Sequence, residues 1–215
     1  MPLPLAPIAV GLIAASVAIV RPKLVQARNR KRLAILGGQH VGKTTLLSFL
    51  ARAGTGEPSG TADRGKFAGI FTLTVDSKTV EFRVRKDLRG DVRTKLARSR
   101  QAFMSATHVW YLFRSDLIRE GDAQHILDVK RDLDTLKEWA DEASSKAPKI
   151  LLVGTFADQS PFFEADADAF LETIRSADPI KLGRKKFADP AKVVVGSLTP
   201  SFFKQLVDNL ERSLD

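Results

Sequence analysis

The chain has 215 residues, enough for one domain of ordinary size with a short appendage and too few for two full domains. With 44% hydrophobic and 27% charged residues it can bury a real core, which excludes a disordered, collagen-like or coiled-coil chain. It contains no cysteine and only three scattered histidines, so disulfides, thiolate metal sites and cysteine nucleophiles are excluded and a histidine-only metal site is disfavoured. Thirty-four Lys and Arg against 25 Asp and Glu leave +9. Six of those basic residues, Arg21, Lys23, Arg28, Arg30, Lys31 and Arg32, lie within residues 21–32 with no acid among them. The basicity is therefore concentrated in one segment, and no nucleic-acid partner is expected.

From Pro2 to Val20 there is no charged side chain. As a helix, Leu3 to Val20 would extend about 27 Å at ~1.5 Å per residue, near the thickness of a bilayer core. Pro4 and Pro7 fall in or before the first turn, where a helix tolerates proline. The basic cluster follows the apolar run and none precedes it, so the positive-inside bias places the remainder in the cytoplasm. A cleaved signal peptide would want a basic leader and a small-residue cleavage site, and both are poorly supplied. The expected organisation is a transmembrane anchor over 1–20, a basic juxtamembrane linker over 21–32 and a domain over 33–215. The protein is then single-pass, touching the membrane through helix and linker, with its domain on the cytoplasmic side.

The remainder alternates strand-like and helix-like patterns, the signature of a sheet covered by helices. Leu33–Leu36 reads as a strand, and Thr44–Arg52 as a helix with Leu46, Leu47 and Leu50 on one face. A polar loop from Gly54 to Lys66 leads to Phe67–Val75, the turn Asp76-Ser77-Lys78 and Thr79–Val84, an apparent hairpin. Then follow a helix (Val92–Ser105), a strand (His108–Phe113), a helix (Asp122–Ser144), a strand (Ile150–Val153), a helix (Phe162–Ser176), a strand (Val193–Val195) and a last helix (Pro200–Leu214).

Between the first strand and the first helix lies GGQHVGKT, Gly37 to Thr44, which fits G-x-x-x-x-G-K-[ST] in the strand-loop-helix context that gives the pattern its meaning. Successive backbone N–H groups of such a turn form an anion nest, and the helix N-terminus adds its positive dipole end. Gly37, Gly38, Gln39, His40, Val41, Gly42, Lys43, Thr44 and Thr45 are the expected phosphate-binding residues. Lys43 reaches the outer phosphates and the Thr44 hydroxyl suits Mg²⁺. His40 is expected to point outward from the loop.

With this loop in place, the order of motifs resembles the Ras-like small GTPases of the translation-factor-related class of P-loop proteins, over roughly residues 33 to 214. The membrane-anchored layout is similar to that of the signal recognition particle receptor β-subunit. The family's D-x-x-G is matched by Asp87-Leu88-Arg89-Gly90, its [NT]-K-x-D by Thr155-Phe156-Ala157-Asp158, and its final base-contacting loop by Gly196-Ser197-Leu198. The resemblance implies a three-layer α/β P-loop NTPase fold with a mostly parallel six-stranded sheet, GTP/GDP and Mg²⁺ as ligands, and a GTP-hydrolysing switch. It implies that Thr44, Thr61 and Asp87 serve the metal, with Thr55 second to Thr61, and that Lys43 and Thr61 are catalytic. Gly90 would sense the γ-phosphate, and Asp158, with Thr155, Phe156, Ser197 and Leu198, would hold the guanine. A protein effector or regulator would meet the switch regions.

The sequence departs from the family twice. Phe156 stands where the family has Lys, and Asp91 follows D-x-x-G where many members have a Gln that orients water. Slow or partner-dependent hydrolysis is expected. A nucleotide-binding membrane scaffold with little turnover is the alternative, and an ATP-using P-loop protein the third reading. The alternating Glu81, Arg83 and Arg85 predict one wet face on the strand before Asp87. The basic residues Lys181, Arg184, Lys185 and Lys186 read as a solvated loop.

Overall fold

The computed structural model describes residues 30–54, 70–75, 78–84 and 92–214. Lys31–Asp215 forms one unit, and of the other, Met1–Arg30, only Arg30 is described. The elements in chain order are β1 (Arg30–Gly37), α1 (Lys43–Gly54), β2 (Ile70–Val75), β3 (Lys78–Val84), α2 (Val92–Ser105), β4 (His108–Arg114), α3 (Ser115–Glu120) and α4 (Ala123–Ala143). They continue with β5 (Lys149–Thr155), α5 (Pro161–Ala165), α6 (Ala167–Ser176), α7 (Asp178–Arg184), β6 (Lys192–Val195) and α8 (Pro200–Ser213).

The strands form one six-stranded sheet in the order β2-β3-β1-β4-β5-β6. It is mixed, not mostly parallel as expected. β4 runs parallel to β1 and β5, and β6 parallel to β5, but β2 and β3 are antiparallel with Phe71 opposite Phe82. A connection as short as 76–77 can join only antiparallel neighbours, because a parallel crossover needs a dozen or more residues.

The expected membrane helix, and with it the single-pass placement, is likewise corrected. No helix among the described residues is long and apolar enough to cross a membrane, and residues 1–20, on which the anchor was placed, lie outside them. The linker boundary moves as well, since Arg30–Arg32 begin β1. The Arg32 backbone is tied to the turn before β4: Thr107 N–H donates to Arg32 O at 2.8 Å, and Arg32 N–H to Thr107 Oγ1 at 3.0 Å.

Side chains alternate across β4, so its near-continuous apolar run HVWYLFR feeds two cores. Trp110 and Leu112 join Leu46, Leu50, Phe71, Phe82, Phe203 and Leu206 beneath α1 and α8. Val109, Tyr111 and Phe113 join Phe103, Leu133, Phe170 and Ile174 beneath α2, α4 and α6. Each such buried side chain contributes about 1.5–3 kcal/mol relative to exposure. On β3 the alternation is visible too: Phe82 and Val84 are buried while Arg83 is exposed.

Three helical differences have local causes. The helix expected over 162–176 splits, because Asp166 accepts a hydrogen bond from Ala169 N–H at 2.9 Å and caps α6. The Asp178–Arg184 stretch, expected in part as loop, is helix α7. Pro179 suits its first turn, Ile180 is fully buried, and Gly183 lies so close to Leu133 that a Cβ would sit 2.3 Å from Leu133 Cδ1. The short helix α3 precedes α4, separated from it by Gly121 at φ 77° and by Asp122, which caps α4 through His125 N–H at 2.7 Å.

Candidate functional site

In an open sheet a ligand crevice forms at the carboxyl ends of neighbouring strands whose onward connections leave in opposite directions. Here the chain leaving β1 turns toward β2 and β3, whereas that leaving β4 passes to β5 on the other side. That topological switch point falls at the β1/β4 ends, where Gly37 is level with Leu112 and Arg114 with Thr155.

The loop from Gly37 into α1 is a turn that side chains would obstruct. Gly37 has φ 138°, His40 φ 58° and Gly42 φ 81°. A Cβ on Gly37 would meet Leu112 O at 2.2 Å, and one on Gly42 would meet Leu198 Cδ1 at 2.2 Å. Gly38 is different, with its nearest neighbour at 3.8 Å. Gln39 and His40 are exposed, Val41 is buried at 2% exposure, and Thr44 and Thr45 are exposed on the first turn of α1. Leu46 N–H donates to Gly42 O at 2.8 Å, which starts that helix. The Lys43 ammonium folds back over the loop, donating to Gly37 O at 3.0 Å and also to Gly38 O. Such a backbone cradle with a cation above it fits a phosphate group.

Thr155, at the end of β5, is fully buried. Its Oγ1 lies 3.1 Å from Val41 O and 3.0 Å from Phe113 O, so a single hydroxyl proton is shared between the phosphate-loop candidate and β4. Phe156 follows in the left-handed region at φ 57° and its ring approaches Gly42, where a Cβ would be 3.4 Å from Phe156 Cε2. Asp158 is half-buried in the 3₁₀ turn Ala157–Gln159 and accepts from Gln159 Nε2 at 3.2 Å. The loop after β6 is tied alongside: Gly196 N–H donates to Gly154 O at 2.9 Å and Ala157 N–H to Gly196 O at 3.3 Å. Ser197 is fully buried, with its Oγ accepting from Thr199 N–H at 3.0 Å. Leu198 carries its side chain against Gly42.

The residues expected around phosphate and base thus converge from the ends of β1, β5 and β6. Thr61, Asp87 and Gly90, like Thr55 and Asp91, lie outside the described residues. Among the described residues no group of three or more His, Asp and Glu could hold a metal.

Sequence reasoning missed Arg114. Its guanidinium lies 4.7 Å from the centroid of the Phe156 ring, held there by Asp116, which is only 2% exposed. Arg114 Nε donates to Asp116 Oδ1 at 3.0 Å and Nη2 to Oδ2, a two-point pairing that, ahead of the charge attraction, raises the guanidinium's pKa above its ordinary value. Behind it, Arg114 N–H donates to His125 Nε2 at 3.1 Å, and burial lowers the imidazole pKa against the opposing pull of Asp122 and Asp116. Ser115 Oγ donates to Thr155 O at 2.7 Å and closes the network. The only sequence signal was a charged residue ending an apolar strand.

No protein-family model matches the chain, and no curated relative does. Among solved structures it is similar to two mutation variants of SsGBP, each at TM-score 0.54, with 14% and 16% identity, over 92% of this chain and 59% of theirs. The likeness is one of fold alone. This chain spans about three fifths of the length of those structures.

Proposed function

We propose that this protein binds a guanine nucleotide across the loops that follow β1, β5 and β6, and that slow or partner-assisted hydrolysis of GTP switches its hold on a protein partner. The observation that carries the reading is the closeness of Leu198 and Phe156 to Gly42, where an added Cβ would lie 2.2 and 3.4 Å from them, since it brings the candidate phosphate cradle beside the two candidate base loops. One ligand with a polyphosphate tail and a flat base would span them.

In this reading the phosphates exchange the neutral carbonyl partners of Lys43 for charged oxygens, which strengthens each hydrogen bond. Loop N–H groups and the start of α1 take the remaining oxygens. Asp158 accepts from the ring N–H and exocyclic amine of guanine, donors that adenine does not present together. Mg²⁺, held by Thr44 with Thr61 and Asp87, would neutralise charge on the outer phosphates. Loss of the γ-phosphate supplies the differential contact that any switch requires.

Titration of the protein with a fluorescent GDP analogue tests this. Saturable binding that GTP displaces and ATP does not, and that Lys43→Ala abolishes, is expected. Asp158→Asn should shift preference from guanine toward xanthine, whose donor and acceptor pattern suits an amide. Failure of guanine nucleotides to bind, or equal competition by ATP, would sink the proposal.

Asp91, standing where the resembling family has a water-orienting Gln, favours a second reading: constitutive nucleotide binding without turnover. Single-turnover assays separate the two, because a Mg²⁺-dependent release of phosphate that is lost in Lys43→Ala belongs only to the switch.

A further inference from the structure

Two helices flank β6 and leave a hollow beside it. On α6, Asp168, Leu171 and Arg175 recur every three or four residues and share a face, and on α8 Gln205, Asn209 and Arg212 do the same. These faces wall a cavity of about 450 Å³, a size that small molecules occupy. Its floor is apolar and tightly packed, because Val193, Val194 and Val195 are only 3–6% exposed. Arg175 braces one wall: Nη1 donates to Glu172 Oε1 at 2.6 Å and Nη2 to Val193 O at 3.4 Å. A second concavity adjoins the first, since Arg175 and Arg184 line both.

The charge of the two hollows is one-sided. Their only acids are Asp168 and Glu172, and Glu172 is already taken by Arg175. Arg184 and Arg212 in the first hollow, and Lys181 and Lys185 in the second, make no side-chain ion pair among the described residues. Those four cations face the one remaining carboxylate, Asp168. A phosphate monoester carries about −1.5 to −2 at pH 7, so one such group leaves the hollows cationic whereas two balance them. Apolar walls lined by one sign of charge concentrate the field on a ligand of the other sign. A guanidinium also meets a phosphate at two points, which an isolated ammonium does not.

We propose that these adjoining hollows bind a compact molecule or headgroup carrying two or more phosphate groups. Arg184 and Arg212 hold one phosphate over the valine floor, and Lys181 and Lys185 attract the next. Arg175 is committed to Glu172 and Val193, so it shapes the wall and leaves the ligand to the other cations. None of these residues belongs to the loops after β1, β5 and β6, and the site stands whether or not those loops bind nucleotide.

The test is calorimetric titration of the full chain with inositol trisphosphate, and with inositol monophosphate as control. The trisphosphate should bind saturably, at least about tenfold more tightly than the monophosphate, and more weakly as salt is raised. Arg184→Gln with Arg212→Gln should cut that affinity at least about tenfold while the circular dichroism spectrum is unchanged. Arg184→Lys with Arg212→Lys keeps the charge but not the fork and should fall between, while Lys43→Ala should bind as the unaltered protein does. Vesicles of phosphatidylcholine with phosphatidylinositol bisphosphate identify the source. Capture that the soluble probe displaces and the glutamine variant loses assigns the ligand to a lipid headgroup, and binding of the probe without capture assigns it to a free molecule. Absence of binding, equal affinity for the two inositol phosphates, or full affinity in the glutamine variant overturns the proposal. So does loss of binding in Lys43→Ala, which would place the probe on the glycine loop.

Discussion

The guanidinium of Arg114 lies over the ring of Phe156 at 4.7 Å, so the residue that departs from the resembling family's lysine is covered by a cation from the neighbouring strand. A lysine at 156 would supply a charge and an apolar stem together; here a ring supplies the flat surface and Arg114 the charge, in two side chains. Asp116 fixes the arrangement by holding one edge of the guanidinium at two points, Nε and Nη2.

If this pair flanks the base, truncating either partner weakens nucleotide binding. A cation–π contact of about 0.5–2 kcal/mol corresponds to roughly a two- to thirtyfold rise in Kd for Arg114→Ala. Arg114→Lys should recover only part of the loss, because an ammonium cannot hold the two-point grip on Asp116. Isothermal titration with GDP decides it, and unchanged affinity in Arg114→Ala would remove the pair from the site.

Gly42 gives a stability test that does not depend on the ligand. Its φ of 81° and the 2.2 Å approach of a built Cβ to Leu198 Cδ1 mean that Gly42→Ala suffers both backbone strain and a clash. A loss of about 1–3 kcal/mol in unfolding free energy is expected from the strain alone. Gly38→Ala, whose Cβ finds nothing nearer than 3.8 Å, should be close to neutral. Leu198 is itself buried, so Leu198→Ala costs stability of its own, and relief of the clash shows as a smaller Gly42→Ala penalty in the Leu198→Ala background than in the unaltered protein. Urea unfolding of the single variants and the double variant checks this.

Thr155→Val keeps shape and removes a hydroxyl that serves Val41 O and Phe113 O in a fully buried place. Leaving buried acceptors without that donor costs about 1–3 kcal/mol, and Thr155→Ser should recover most of it. Hydrogen exchange should report the loss at Val41 and Gly42 before it appears in distant helices.

Most of the sheet was legible because its strands obey local rules. The run His108–Phe113 reads as a buried strand from composition, and the phosphate-loop pattern reads from spacing, with Gly37 and Gly42 at positions where only glycine fits. Sheet direction was less legible, since the two-residue connection at 76–77 that forces β2 antiparallel to β3 was visible while its effect on the whole sheet was understated. Arg114 was hidden for a different reason. Its role comes from Asp116 two residues on and Phe156 forty-two residues away, and no periodicity encodes a contact between two loop ends. Helix α7 was masked by its own charges: Lys181 and Arg184 suggested loop, while Ile180 and Gly183, which fix it against α4, are only two residues of the segment.

Two histidines predict how stability depends on pH. His108 is pushed down to about 4, first by burial and then by Lys31 and Lys149, and His125 is lowered mainly by burial. In the unfolded chain both titrate near the ordinary 6.5. Below that value the unfolded chain takes up protons that the folded protein does not, so stability is full above pH 6.5 and declines as the pH falls toward 4. His125 adds a local effect, because its Nε2 accepts from Arg114 N–H and a protonated ring cannot accept there. His108→Gln should flatten the slope of urea midpoint against pH between about 4 and 6.5, His125→Gln should flatten it below 6.5, and the double variant should flatten it most. A slope unchanged in both single variants would assign the acid sensitivity to carboxylates instead.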